Sequence, residues 1–255
     1  MTPETSPSIQ LMKSRNRLLH IFPIAIAAIG ITPQAASAAY SLVNGDFEDT
    51  SGTFPTGWTG SASDAGGFAS GSHDALLTSG NSITQDFSGD PRTIATAENY
   101  DFQLDFAFRT SALSTTSDQR FRLRDNNNAG DLITLGFETA ATGGGTALSY
   151  FSGGWNTAID AAFTAGTTYY IRVIGSDLDL ASRSYTIGYS TNGVDYTTSG
   201  DITGFHAFSP GVDFETIRFE AGTSTLRIDA VSVVPEPSIV LLGGLGVLGL
   251  LRRRR

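Results

Sequence analysis

From Tyr100 to Arg109 every second residue is large and apolar (Tyr100, Phe102, Leu104, Phe106, Phe108), and the residues between them are Asp101, Gln103, Asp105, Ala107 and Arg109. A period of two sustained this long predicts a strand with one buried face, because successive side chains of an extended backbone point to opposite sides. The same alternation recurs in Phe121/Leu123, Tyr169/Ile171/Val173, Tyr185/Ile187/Tyr189, Ile217/Phe219 and Leu226/Ile228. Turn chemistry separates these runs: the polar Asp125 to Asp131 loop, Gly143-Gly144-Gly145, and Asn192-Gly193, whose tolerance of positive φ suits a tight hairpin. No stretch of this region keeps a helical period. The expected fold is therefore all-β, a single jelly-roll β-sandwich of short strands over residues 39–233.

Composition narrows what such a sandwich does. With 40% hydrophobic residues in 255 the chain can bury a core, and with no cysteine it has neither a disulfide framework nor a thiolate metal site. The middle region holds 23 acids against 9 arginines and no lysine, a net charge of −14 that excludes a nucleic-acid partner.

The two ends read as addresses. Lys13, Arg15 and Arg17 precede the apolar run Ile21 to Ile31, and Ala36-Ser37-Ala38 places small residues before Ala39. That order predicts a secretory signal peptide over 1–38, with Met1 or Met12 as the start. At the other end Pro235-Glu236-Pro237 leads into the apolar stretch Ile239 to Leu251 and then Arg252, Arg253, Arg254 and Arg255. As a helix the stretch would reach about 20 Å against a ~30 Å hydrocarbon core, a short transmembrane helix whose arginines stay on the cytoplasmic side. Residues 234–255 resemble the PEP-CTERM sorting signal, a family also catalogued as the ice-binding protein C-terminal domain. The resemblance implies transient anchoring in the inner membrane, processing by an exosortase-type membrane enzyme and release to the cell surface or medium of a bacterium that makes exopolysaccharide.

A second resemblance concerns the sandwich. Leu42-Val43-Asn44-Gly45-Asp46-Phe47-Glu48, followed by Gly57-Trp58, is similar to the opening of secreted carbohydrate-binding modules of the galactose-binding-like jelly-roll type, and Leu226 to Val233 is similar to their closing strand. It implies a structural Ca²⁺ where the first and last strands meet, held here by Glu48 and Asp229 with backbone carbonyls. The segment Tyr185 to Tyr196 resembles concanavalin-like or laminin G-like sandwiches, so both sandwich families stay open.

Candidate chemistry is sparse. There is no Gly-x-Ser-x-Gly elbow, no Glu-x-Asp-x-x-Glu cluster, and only His73 and His206 beyond the leader, without metal-ligand spacing. Asp101/Asp105 and Asp177/Asp179 are the acid pairs that any solvated strand face offers, and no enzyme is expected. Arg120, Arg122 and Arg124 share one strand face, where pairing with Asp or Glu across strands is the commoner use and an acidic polysaccharide the alternative. Trp58 is expected in the core. Trp155, in the loop Tyr150-Phe151-Ser152-Gly153-Gly154-Trp155-Asn156, is the candidate sugar platform, with Tyr150 or Phe151 as a second ring and Asn156 as polar partner. The acidic balance favours a neutral glycan away from the arginine face. The expected function is an exported, exosortase-processed surface or matrix protein whose non-catalytic sandwich binds glycan in an exopolysaccharide or biofilm. The alternatives are a purely structural matrix protein and, less favoured, a glycoside hydrolase.

Overall fold

The alternating residues fold as their period requires. A computed structural model describes residues 42–86, 102–113, 119–125, 130–142, 144–176, 182–206 and 215–235. The leader, the tail from Glu236 through Arg255, and Tyr100, Asp101, Asp177 and Asp179 lie outside the described residues.

In chain order the strands are β1 (Thr59–Gly60), β2 (Ser63–Asp64), β3 (Ala75–Leu77), β4 (Ser82–Asp86), β5 (Phe102–Thr110), β6 (Arg120–Asp125) and β7 (Gly130–Ala140). They continue with β8 (Thr146–Phe151), β9 (Trp155–Phe163), β10 (Tyr169–Ser176), β11 (Ser184–Ser190), β12 (Thr197–Thr198), β13 (Thr216–Glu220) and β14 (Leu226–Pro235). One sheet runs β1-β4-β13-β6-β7-β8-β9 and the other β12-β11-β10-β5-β14-β3-β2. Every strand pairing is antiparallel. Among the described residues there is no helix, and the architecture is a jelly-roll-like β-sandwich.

The core lies between the sheets. Phe102, Leu104, Phe106 and Phe108 of β5 point inward and are buried. Phe106 meets Phe121 at 4.9 Å and Phe219 at 5.2 Å between ring centroids, and Phe108 meets Phe121 at 5.3 Å and Phe137 at 5.4 Å. These contacts join strands of opposite sheets. Each fully buried ring contributes roughly 1.5–3 kcal/mol, and each such pair about 0.5–1.5 kcal/mol more. Asp125 and Gly130 pair at the end of the β6–β7 ladder, and the polar residues 126–129 between them lie outside the described residues. Asn192-Gly193 joins β11 to β12 in a wider loop than a two-residue turn, because Asn192 Oδ1 accepts from the amides of Val194 and Asp195.

The opening segment differs from the strand expected at Leu42–Glu48. Asn44 and Phe47 take φ of 53° and 59°, and Asn44 organises a looped chain in place of a ladder. Its Oδ1 accepts from Asp49 N–H (2.8 Å), its Nδ2 donates to the carbonyls of Asp49 (3.0 Å) and Thr56 (3.2 Å), and its own carbonyl accepts from the Trp58 indole (3.2 Å). Short amide side chains compete with regular structure in this way. Trp58 is buried as expected, between Phe47 (5.4 Å) and Phe219 (5.9 Å). The segment still lies beside the last strand: Val231 N–H donates to Gly45 O at 2.8 Å, at the bulge between Asp229 and Ser232.

Candidate functional site

Glu48 and Asp229, the residues expected to share an ion, grip the same loop. Fully buried Asp229 accepts through Oδ2 from the amides of Phe68 (3.2 Å), Ala69 (2.9 Å) and Ser70 (3.0 Å), and through Oδ1 from Ser70 Oγ (2.7 Å) and the Ala230 amide (2.6 Å). Glu48 Oε1 accepts from the amides of Ser72 (2.7 Å) and His73 (2.8 Å), and Oε2 from Ser72 Oγ (3.0 Å). Those bonds hold the Glu48 carboxyl below its usual range, the His73 amide being the largest cause. Gly71 allows the approach: with φ at +54°, a Cβ there would stand 2.1 Å from Glu48 Oε1. Buried Asp74 pairs with Arg227, whose guanidinium also donates to Gly66 O and lies 5.2 Å over the Phe68 ring. His73 Nδ1 meets Asp64 Oδ2 at 2.6 Å, and this contact raises the His73 pKa.

Every oxygen of the Glu48 and Asp229 carboxylates thus faces N–H or O–H donors. A calcium ion needs oxygen ligands converging on one point. Among the described residues no group of three or more His, Asp or Glu side chains is placed to hold a metal. In this arrangement hydrogen bonds tie the first segment, the loop and the last strand together, and an ion would have to displace them.

The second constellation lies on the outer face of the sheet containing β6. Phe121 and Leu123 fill the core, so Arg120, Arg122 and Arg124 point outward. Register sets Arg218 of β13 directly opposite Arg122, and Glu220 opposite Arg120. Two guanidinium groups side by side repel, and shared carboxylates offset this. Asp131 contacts Arg122 at 2.8 Å and Arg124 at 2.6 Å, while Glu220 contacts Arg122 and Arg218 at 2.8 Å each. Arg120 has no carboxylate partner among the described residues, and its buried Nε has no hydrogen-bond partner. It lines a recess of about 290 Å³ together with Arg218, Glu220, Gly222 and the Gly80–Ser82 turn.

An aromatic ledge adjoins the recess. Trp155 of β9 pairs with Phe151 of β8, and both half-buried rings lie on the arginine side, 5.5 Å apart. The indole passes over Gly136, where a Cβ would stand 2.8 Å from Trp155 Cη2, and the Arg120 guanidinium carbon is 5.9 Å from the indole centroid. Phe151 continues the ledge to His206 at 4.3 Å. The His206 Nδ1 lies 2.8 Å from Thr134 Oγ1 and 3.6 Å from Asp131 Oδ2, and burial lowers its pKa. The other two expected sugar contacts turn away. Tyr150 sits edge-on to Tyr185 at 6.3 Å and packs against the core, and Asn156, its cross-strand partner, folds onto Gly154 O at 2.8 Å.

Of the four expected glycan residues the fold therefore unites Trp155 and Phe151, and it adds Arg120, Arg218, Glu220, Asp131 and His206. Arg218 and Glu220 were legible as outward positions flanking Phe219. His206 carried no signal, since a loop residue reaches the face through its amide bond to Leu132 O (3.0 Å).

Residues 233–255 match the PEP-CTERM protein-sorting motif. The match implies export, membrane-anchored sorting, and processing by an exosortase-type membrane enzyme. No curated protein matches the chain significantly. Solved structures similar to it include domain 4 of AbnA, a GH43 extracellular arabinanase from Geobacillus stearothermophilus, in complex with arabinotriose, at 16% identity over 80% of this chain and 95% of that one with a TM-score of 0.41. The endo-beta-1,4-glucuronan lyase from the fungus Trichoderma reesei is 11% identical over 78% of this chain and 95% of that one, with a TM-score of 0.49. The carbohydrate recognition domain of Emp46p, in its metal-free form, is 10% identical over 78% and 96%, with a TM-score of 0.45.

Proposed function

We propose that the chain is an exported protein, held at the membrane by its tail until processing and then displayed at the cell surface or in the extracellular matrix, where the outer face of the β6 sheet binds polysaccharide without cleaving it. The terminal arginines would stay on the cytoplasmic side and the short apolar stretch would serve as a temporary anchor. The observation that carries the binding reading is Trp155, half-buried, seated over Gly136 and continued by Phe151 into a ledge beside polar and charged groups. Sugar rings present C–H faces to such rings and hydroxyls to the polar neighbours. A sheet surface buries little area, so many copies along one polymer would supply avidity.

Binding without cleavage is supported by how the carboxylates are used. Glycoside hydrolysis needs an acid and a base flanking one bond, whereas Asp131 and Glu220 are each engaged by two arginines and Asp105 is bonded to Arg172 (2.7 Å) on the other sheet. The test is retention of the protein and of Trp155→Ala on the producing cells' own exopolysaccharide, with reducing ends measured alongside. Losing a stacking contact of about 0.5–1.5 kcal/mol should weaken retention several-fold, with no reducing ends released. Equal retention of both proteins, or of neither, would leave a purely structural matrix role, and steady release of reducing ends would establish a glycosidase.

A further inference from the structure

Resting on that reading, we infer that the polysaccharide is anionic: the β6 sheet face takes a chain of carboxylate-bearing sugars, one carboxylate entering the recess at Arg120 and Arg218 while a neighbouring ring lies on Trp155. The overall acidity of the chain points the other way, but it is the local distribution that a bound polymer meets, since charges beyond about 8 Å are screened at physiological ionic strength. On this face four guanidinium groups stand together, and Asp131 and Glu220 are each shared between two of them. Arg218 and Arg122 are paired in charge with Glu220, so that the one acid among the described residues lining the recess is turned toward its neighbours.

Arg120 is the exception. It lies between the recess and the indole, is half-buried, and alone of the four has no carboxylate beside it among the described residues, while its buried Nε, like those of Arg122 and Arg218, has no hydrogen-bond partner. A guanidinium removed from bulk water and left without an acceptor gains most from a planar anion that it can bind through two N–H groups. The recess, about 290 Å³, is near the lower end of small-ligand sites and suits one acid group with part of its ring. Because Arg120 borders both the recess and Trp155, a single uronate-containing segment can use both at once.

The experiment is affinity electrophoresis of the full chain in detergent, through gels containing polygalacturonate, the same polymer after carboxyl reduction, or dextran sulfate at matched charge. The parent should be retarded about tenfold more strongly by polygalacturonate than by the reduced polymer, less so as salt rises, and more than by dextran sulfate. Arg120→Gln should remove most of that preference, cutting retardation by polygalacturonate far more than the weak retardation by the reduced polymer. Arg120→Lys, which keeps the charge without the planar fork, should fall between, and circular dichroism checks that both variants fold. Trp155→Ala should weaken retardation by both sugar polymers. If Arg120→Gln and Arg120→Lys run with the parent in polygalacturonate, or dextran sulfate retards the parent equally, the anion assignment is overturned and the ledge reading stands. If Trp155→Ala matches the parent in both gels, or neither gel retards the parent, the ledge reading is overturned with it.

Discussion

Replacing Asp229 by Ala tests whether one buried carboxylate fastens the loop that joins the two ends of the sandwich. The side chain is fully buried and accepts five hydrogen bonds, four of them from backbone amides. Bonds to a charged acceptor are worth about 1.5–3 kcal/mol each, but these donors are only partly buried and regain water when the loop loosens, so about 1 kcal/mol per amide is the better figure. Summed with the lost Ser70 hydroxyl bond, the expected destabilisation is about 3–5 kcal/mol. In a domain of this size a loss of 1 kcal/mol lowers Tm by roughly 2–4 °C, so Tm should fall by roughly 6–20 °C. Thermal melts followed by circular dichroism measure the fall, and hydrogen exchange locates it: the amides of Phe68, Ala69 and Ser70 should lose protection while those of β5 and β10 keep theirs. A loss under about 1 kcal/mol, with the three amides still protected, would refute the reasoning, because the loop would then be held by something other than Asp229.

The same clamp responds to pH through His73, whose pKa is raised by its bond to Asp64. Its stabilisation is complete below about 6.5 and lost as pH rises through the folded-state value, so His73→Gln should flatten a fall in Tm on that side. His206, lowered by burial, has the opposite sign: its contribution is present above about 6.5 and lost as pH falls through the folded-state value, and His206→Gln should remove an acid-side fall. Calcium added to metal-free protein should leave Tm unchanged, since donors occupy both carboxylates; a rise reversed by chelation would put the ion between Glu48 and Asp229 and replace the hydrogen-bond account. Gly136→Ala sets a Cβ 2.8 Å from the indole and 3.0 Å from Gln119 O, which should cost about 1–3 kcal/mol and tilt Trp155 off its seat. An unchanged Tm with unchanged polymer retention would show that the ledge does not depend on that contact.

The strands were legible because the inside–outside alternation of Phe102 to Phe108, or of Ile217 and Phe219, is written in consecutive residues. What stands beside what across the sheet was not. Arg218 faces Arg122 from 96 residues away in the chain, and Trp155 lies over Gly136, pairings set by register. Carboxylate pairing of the arginine row was legible as a class of interaction, but the identity of Asp131 and Glu220 as the partners, and the exclusion of Arg120, depended on the fold. That Trp155 and the arginines share one face is what favours the anionic polymer we infer over the neutral glycan that overall acidity suggests. The clamp loop was missed for another reason. Residues 65–74 read as ordinary turn formers, and nothing in Ser70 or Ser72 announces that its amide is aimed at a carboxylate more than 20 residues away.

β14 lies between β5 and β3 and ends at Pro235, the residue that precedes the tail. A pull on the tail therefore reaches the sandwich through the end of β14. Under a pull along the strand, its pairs with β5 from Ser232 to Pro235, and those from Leu226 to Asp229 beyond the bulge, carry the load together in shear. The Asp229 bonds and the Val231–Gly45 bond lie further along the same strand, so detachment must strip the clamp loop and the opening segment as well. A sandwich hung by a central strand is mechanically braced at its point of attachment. Tension between a bound polymer and the tail would then deform the outer strands before it extracts the one that carries the tether.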